Sequence, residues 1–147
     1  LSELFEKKSG AEEEGGTVKG DFRGKRFLIA EDNELNREIA QELLSTTGAL
    51  IECAVNGKEA VDKFAASLPG YFDLILMDIQ MPIMNGYDAT ITIRKMKDTK
   101  KASIPIIAMT ANAFAEDTQK VLSVGMNAHV AKPVDMNILV PTMMKYL

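Results

Sequence analysis

Carboxylate side chains stand at the ends of two short apolar segments of the sequence. Glu31 and Asp32 directly follow residues 26–30, and Asp78 closes residues 73–78. Three carboxylates that share one site repel one another, so such a site needs a cation. Hard oxygen ligands in small number favour Mg²⁺, which takes one or two carboxylates and keeps several waters or substrate oxygens. If the fold brings these side chains together, the sequence predicts a magnesium site.

A hydroxyl and an ammonium group complete this set of reactive side chains. Thr110 and Lys132 each follow a later apolar segment. Phosphoryl transfer uses the same parts, because a carboxylate can attack phosphorus while a metal, an ammonium and a hydroxyl stabilise the charge on the transferred group. Asp78 is the candidate nucleophile, since its segment is the one predicted to form the central strand.

The elements that must position these groups alternate between strands and helices. Short apolar runs predict strands, and apolar residues at helical spacing predict helices between them. The predicted strands are 26–30, 50–55, 73–78, 104–110 and 129–131, and the predicted helices are 33–47, 57–68, 86–96, 112–124 and 135–147. Five strands alternating with five helices indicate an α/β fold with a doubly wound parallel sheet. Ligands bind such sheets at the carboxyl ends of the strands, where all five candidate residues fall.

Composition limits the classes of protein that the chain can belong to. Its 147 residues carry 17 basic and 21 acidic side chains, for a net charge of −4, and 46% of the residues are hydrophobic. This is the length of one domain, and the acidity argues against nucleic-acid binding. No apolar run reaches the roughly 18 residues that a bilayer requires, so no membrane contact is expected. The single cysteine, Cys53, is typical of a reducing compartment.

The first 24 residues differ in composition from the rest of the chain. They contain several glycines and the acidic run 12–14, a pattern typical of a solvated linker. We therefore predict that residues 1–24 are a flexible linker or the end of a preceding domain. The folded domain is predicted to span residues 25–147.

Four sequence motifs, in this order and spacing, are similar to those of a known family. They are IAEDN at 29–33, LMDIQMPIMNG at 76–86, AMTA at 108–111 and AKP at 131–133. Over residues 25–147 the chain resembles the receiver domain of two-component response regulators. The resemblance implies a flavodoxin-like receiver fold with the strand order 2-1-3-4-5.

The resemblance also implies a role for each acidic residue. Asp78 would accept a phosphoryl group from a phosphohistidine on a histidine kinase. Asp32, Asp78 and the backbone carbonyl of Gln80 would bind Mg²⁺ directly, and Glu31 would act through a bound water. The domain itself would then catalyse only its own phosphorylation and dephosphorylation.

Further roles follow from the same resemblance. Lys132 would pair with the phosphoryl oxygens, and the peptide bond between Lys132 and Pro133 would be cis. Thr110 would bind the phosphoryl group and pull its loop inward as the switch. His129 stands where the family usually has an aromatic switch residue, so it is either a second switch residue or an edge-strand residue without a catalytic role.

His129 with the preceding residues 125–128, and the acidic, glycine-rich N-terminal segment, are similar to the C-terminal receivers of hybrid sensor histidine kinases. The phosphoryl group would then pass on to a histidine phosphotransfer domain, which would dock near Leu35 and Asn36 and on the loop after Lys132. The resemblance places this domain in the cytoplasm, with any membrane anchor elsewhere in a parent sensor kinase.

Three other interpretations remain open at this point. The chain could be a stand-alone single-domain response regulator that binds a target protein when phosphorylated. It could be a Mg²⁺-dependent phosphohydrolase, although that class usually has a second acid two residues after the nucleophile, where this chain has Gln80. A phosphate-independent interaction module would have no use for the five candidate site residues.

Overall fold

The computed structural model of the chain describes residues 20–111 and 118–147. Its strands are β1 (Arg26–Ala30), β2 (Leu50–Ala54), β3 (Leu74–Asp78), β4 (Ile106–Thr110) and β5 (Ala128–Ala131). Its helices are α1 (Glu34–Ser45), α2 (Gly57–Ala66), α3 (Gly86–Arg94), α4 (Thr99–Ala102), α5 (Thr118–Ser123) and α6 (Met136–Met144). None of these helices has the length and hydrophobicity of a membrane-spanning segment.

The five strands form one parallel sheet in the order β2-β1-β3-β4-β5. This confirms the predicted doubly wound sheet and its strand order. All five residues of the central strand β3 are buried, as expected for a strand that is covered on both faces. In the register of the sheet Asp78 pairs with Met109 and Thr110 pairs with Ala131, so both site residues lie at the same edge.

Alternate side chains of each strand enter two hydrophobic cores, one on each face of the sheet. Residues such as Ile75 and Met77 pack with α2, α3 and α5 on one face. Residues such as Leu74 and Leu76 pack with α1 and α6 on the other face. Helices on both faces leave the carboxyl edge of the sheet as the place where a ligand can enter.

Asparagine side chains start the three helices that follow β1, β2 and β3. Asn33, Asn56 and Asn85 each accept a hydrogen bond from a backbone N–H in the first turn, at 2.9, 2.7 and 2.8 Å respectively. Asparagine is among the most favourable N-cap residues. These caps end each loop at the carboxyl edge and so fix the path of the chain around the site.

Two features differ from the sequence predictions. The structure has a sixth helix, α4, where we had expected a loop, because Asp98 caps a single helical turn by accepting a hydrogen bond from Lys101 N at 3.0 Å. The folded part also begins earlier than Lys25, since Phe22 is buried and packs edge-on against Phe27. Most of the predicted linker and the start of the predicted helix 112–124 lie outside the described residues.

Gly86 allows close contact between α3 and the end of β3. A Cβ atom on this residue would lie 2.2 Å from the backbone oxygen of Asp78. Because backbone atoms must move to relieve that overlap, we expect Gly86→Ala to lower the free energy of unfolding by about 1 to 3 kcal/mol. Urea denaturation measures this change. Equal stability of Gly86→Ala and the wild type would contradict the tight contact.

Candidate functional site

The three carboxylates predicted to share a site lie together at the carboxyl ends of β1 and β3. One oxygen atom from each of Glu31, Asp32 and Asp78 lies within 4.8 Å of the other two. Glu31 and Asp78 are only 1% and 3% exposed, whereas Asp32 faces solvent. The cluster thus has two carboxylates inside the protein and a third at the mouth of the site.

The turn between β1 and α1 fixes the position of Glu31. Its Oε2 accepts a hydrogen bond from the backbone N–H of Asn33 at 3.1 Å. Arg37 Nη1 donates to the backbone oxygens of Glu31 at 2.9 Å and Asp32 at 3.4 Å. The sequence analysis did not identify Arg37, because no motif marks it. The only available signal was its position in the predicted helix that follows Glu31 and Asp32.

The ammonium group of Lys132 forms ion pairs with both buried carboxylates. Its Nζ lies 3.1 Å from Glu31 Oε1 and 3.2 Å from Asp78 Oδ2. Its backbone N–H donates to the backbone carbonyl oxygen of Thr110 at 2.7 Å, and its peptide bond to Pro133 is cis. Burial acts to lower the pKa of Lys132, but the charges and hydrogen bonds of Asp78 and Glu31 outweigh it and raise that pKa above its usual value. The ammonium therefore stays charged within the cluster.

The charged form of Asp78 is electrostatically unfavourable. Burial, followed by the negative charge of Glu31, raises the pKa of Asp78 from 3.8 to about 7, although Lys132 acts in the opposite direction. A single ammonium does not balance two buried carboxylates and a third beside them. Excess negative charge at this position favours a divalent cation or a proton.

The cluster has the chemistry that a magnesium ion requires. Hard carboxylate oxygens that lie within 4.8 Å of one another suit the small coordination sphere of Mg²⁺. Both oxygens of Glu31 already accept hydrogen bonds, from Lys132 and from Asn33, which leaves Asp32 and Asp78 as the better candidates for direct ligands. Gln80 lines the same cleft, whose volume is about 240 Å³.

Thr110 supplies an unused hydrogen-bonding group at the end of β4. Its Oγ1 is buried and has no hydrogen-bond partner among the described residues. Buried hydroxyl groups are nearly always paired, so an unpaired one needs an explanation. Because Thr110 lines the same cleft as Asp78 and Lys132, a ligand in that cleft could accept its hydrogen bond.

His129 was a predicted site residue but does not line this cleft. It is half-buried on β5, its Nε2 lies 3.4 Å from Thr118 Oγ1, and its buried Nδ1 has no partner in the part of the chain that the structure describes. The structure therefore brings together Glu31, Asp32, Asp78, Gln80, Thr110 and Lys132, and places His129 behind them on an edge strand.

The sequence that carries these acids, the lysine and the threonine also matches the model of a known protein family. Residues 27–143 match the family model described as the response regulator receiver domain. The chain belongs to this family. Membership of this family explains both the order of the strands and the polar residues at their carboxyl ends.

Curated relatives of this receiver domain include much longer kinases. It is 40% identical over 116 residues to hybrid signal transduction histidine kinase I of Dictyostelium discoideum, and 37% identical over 123 residues to probable histidine kinase 2 of Oryza sativa subsp. indica. The matches cover 78% and 76% of this chain but only 7% and 12% of those kinases.

Solved receiver domains share the fold. The receiver domain of the sensor histidine kinase PA1611 from Pseudomonas aeruginosa, which has a magnesium ion in its active site cleft, is 32% identical with a TM-score of 0.73. That match covers 83% of this chain and 96% of the other. The Saccharomyces cerevisiae Ssk1 receiver domain, crystallised with the histidine phosphotransfer protein Ypd1, is 29% identical with a TM-score of 0.74, covering 88% and 90% of the two chains.

Proposed function

We propose that this receiver domain takes a phosphoryl group from a phosphohistidine onto Asp78 and passes it on in a phosphorelay. The observation that carries the proposal is the position of Asp78, a buried carboxylate with Lys132 Nζ 3.2 Å away and two further acids beside it. One oxygen of Asp78 attacks phosphorus, the bond from phosphorus to the imidazole nitrogen breaks, and that nitrogen takes up a proton. The product is an aspartyl phosphate.

The residues around Asp78 would hold Mg²⁺ and stabilise the transferred group. Asp32, Asp78 and the carbonyl of Gln80 would be the direct ligands, with Glu31 acting through a water. When bound, Mg²⁺ supplies positive charge that neutralises the phosphoryl oxygens. Lys132 would provide the second positive charge from its place between Glu31 and Asp78.

Thr110 would couple phosphorylation of Asp78 to a change at the surface of the domain. Its unpaired hydroxyl lines the cleft and would donate a hydrogen bond to a phosphoryl oxygen. That new bond would draw Thr110 towards the phosphoryl group, which would change the surface that a partner meets. His129 lies one strand away and would act as a second switch residue only by moving from its contact with Thr118.

The partners would be a histidine kinase as donor and a histidine phosphotransfer domain as acceptor. The similarity to hybrid kinases and to the Ssk1 receiver supports this assignment. An apolar groove beside the site supports docking there, since Ile39, Ala40, Pro133 and Val134 line it next to Lys132. We also infer that the domain acts in the cytoplasm as the receiver part of a longer hybrid kinase.

The test is phosphorylation by a small donor that needs no docking. Incubation with acetyl phosphate and Mg²⁺ should add about 80 Da to the wild-type chain, the mass of one phosphoryl group. EDTA should prevent the gain, and Asp78→Asn should abolish it while Asp73→Asn keeps it, because Asp73 lies at the opposite end of β3. An Asp78→Asn variant that gained the same mass would refute the proposed nucleophile.

A further inference from the structure

The loop after β3 contains a backbone conformation that its residue type disfavours. Ile83 has a φ of +71°, and it is the one non-glycine residue with positive φ in the described part of the chain. The backbone N–H of Met84 donates to the oxygen of Pro82 at 2.7 Å, which makes Ile83 the central residue of a γ-turn. The γ-turn with positive φ is rare and strained, and a β-branched side chain makes it worse.

Burial does not compensate for this strain. Ile83 is 79% exposed, the highest value among the large hydrophobic residues that the structure describes. Glycine or asparagine would adopt the same φ at lower cost. A strained backbone combined with an exposed apolar side chain has no benefit for folding, and strain of this kind is concentrated at functional sites.

The rest of the loop is held firmly against the fold. The carbonyl of Met84 accepts a hydrogen bond from Gly57 N at 2.9 Å, and Gly86 N donates to the oxygen of Ile79 at 2.8 Å. A Cβ atom on Gly57 would lie 2.3 Å from the Met84 oxygen, so the approach of the two loops requires glycine. Ile83 is therefore presented on a fixed turn.

The position of this turn relates it to the proposed chemistry. The loop begins at Ile79, the residue after Asp78, and ends at the Asn85 cap of α3. Asp78 is buried in its cleft, so a protein that brings a histidine to it must cover the surrounding rim. Ile83 lies in the loop that directly follows Asp78, and an apolar side chain on a rigid turn loses little conformational freedom when a partner binds it.

We propose that Ile83 is an anchor residue that inserts into an apolar pocket on the histidine phosphotransfer domain, whose histidine exchanges the phosphoryl group with Asp78 in either direction. The inference rests on the proposed function and adds a specific contact to it. The anchor would increase the rate of transfer from a protein donor and would have no effect on a small donor. The strained turn is then retained for recognition at the expense of stability.

The experiment compares the two kinds of donor in three variants. Ile83→Asn removes the apolar group and suits a positive φ, Ile83→Val keeps an apolar group, and Leu68→Asn makes the same polar change at a residue that is 77% exposed beyond the far end of α2. Each chain is mixed with acetyl phosphate or with phosphorylated Ypd1 of Saccharomyces cerevisiae, and the mass gain is followed over time.

We expect Ile83→Asn to slow transfer from phosphorylated Ypd1 about tenfold or more, as the loss of an interface anchor does. Its uptake from acetyl phosphate should equal that of the wild type, and its melting temperature should be equal or higher. Leu68→Asn should behave as the wild type, and Ile83→Val should keep most of the transfer rate.

Other outcomes would overturn the anchor. Equal transfer from Ypd1 to the wild type and Ile83→Asn would show that Ile83 makes no productive contact, and loss of acetyl phosphate uptake in Ile83→Asn would show that the turn only shapes the site. A wild type that accepts from acetyl phosphate alone would refute the protein contact and leave Asp78 as phosphoacceptor. Failure with both donors would refute the proposed function itself.

Discussion

Replacement of Lys132 by methionine is expected to slow the phosphorylation of Asp78 about a hundredfold, as removal of one preorganised charge-stabilising donor does in enzymes. The ammonium lies 3.2 Å from Asp78 Oδ2 and 3.1 Å from Glu31 Oε1, where it would also reach an oxygen of a phosphoryl group on Asp78. Methionine keeps the unbranched apolar stem and removes only the charge and its hydrogen bonds.

The rate of mass gain with acetyl phosphate at saturating Mg²⁺ measures this effect. Lys97→Met is the matched control, because Lys97 is exposed and follows α3 at the opposite edge of the sheet. Circular dichroism shows whether each variant is folded. A Lys132→Met chain that is folded and phosphorylated as fast as the control would contradict the role given to this ammonium.

The second large effect concerns the thermal stability of the fold, which the buried Asp78 carboxylate reduces. In metal-free buffer at pH 8, Asp78→Asn should melt roughly 5 to 10 °C above the wild type. Burial and the charge of Glu31 raise the pKa of Asp78 to about 7 from 3.8, so the folded protein holds a proton that the unfolded chain has released. Wild-type stability therefore falls as pH rises from about 4 to about 7, and the full loss remains at higher pH.

The difference between the two melting temperatures, followed from pH 4 to pH 8 in EDTA, isolates this effect from the other titrating groups. The difference should be small at pH 4, should grow through pH 7, and should shrink when Mg²⁺ stabilises the wild type. An Asp78→Asn variant that is less stable than the wild type at pH 8 would show that the carboxylate is favourably placed without a metal.

Particular residues show why much of the fold could be predicted. The apolar run before Asp78 has no polar interruption, which suits a strand covered on both faces, and it is buried throughout. The polar residues at the carboxyl ends of β1, β3, β4 and β5 are expected at one edge because parallel strands end together, and the cleft contains Glu31, Asp32, Asp78, Thr110 and Lys132. The order of the strands came from the family resemblance.

Other features depend on contacts between distant parts of the chain, which no local pattern encodes. Arg37 binds the carbonyls of Glu31 and Asp32 through a long side chain whose direction depends on the packing of α1. The positive φ of Ile83 runs against the preference of its residue type, so the sequence predicts the opposite. The helix α4 is one turn long, below the length at which apolar periodicity becomes visible.

The most direct test of the central claim is to locate the phosphoryl group within the chain. Borohydride reduces an aspartyl phosphate to homoserine and releases phosphate, which marks the modified residue permanently for peptide mass spectrometry. After treatment with acetyl phosphate and Mg²⁺, we predict homoserine at position 78 in the wild type and unmodified sequence in a sample kept in EDTA. Homoserine at Asp32 or at another carboxylate, with Asp78 unchanged, would contradict the account.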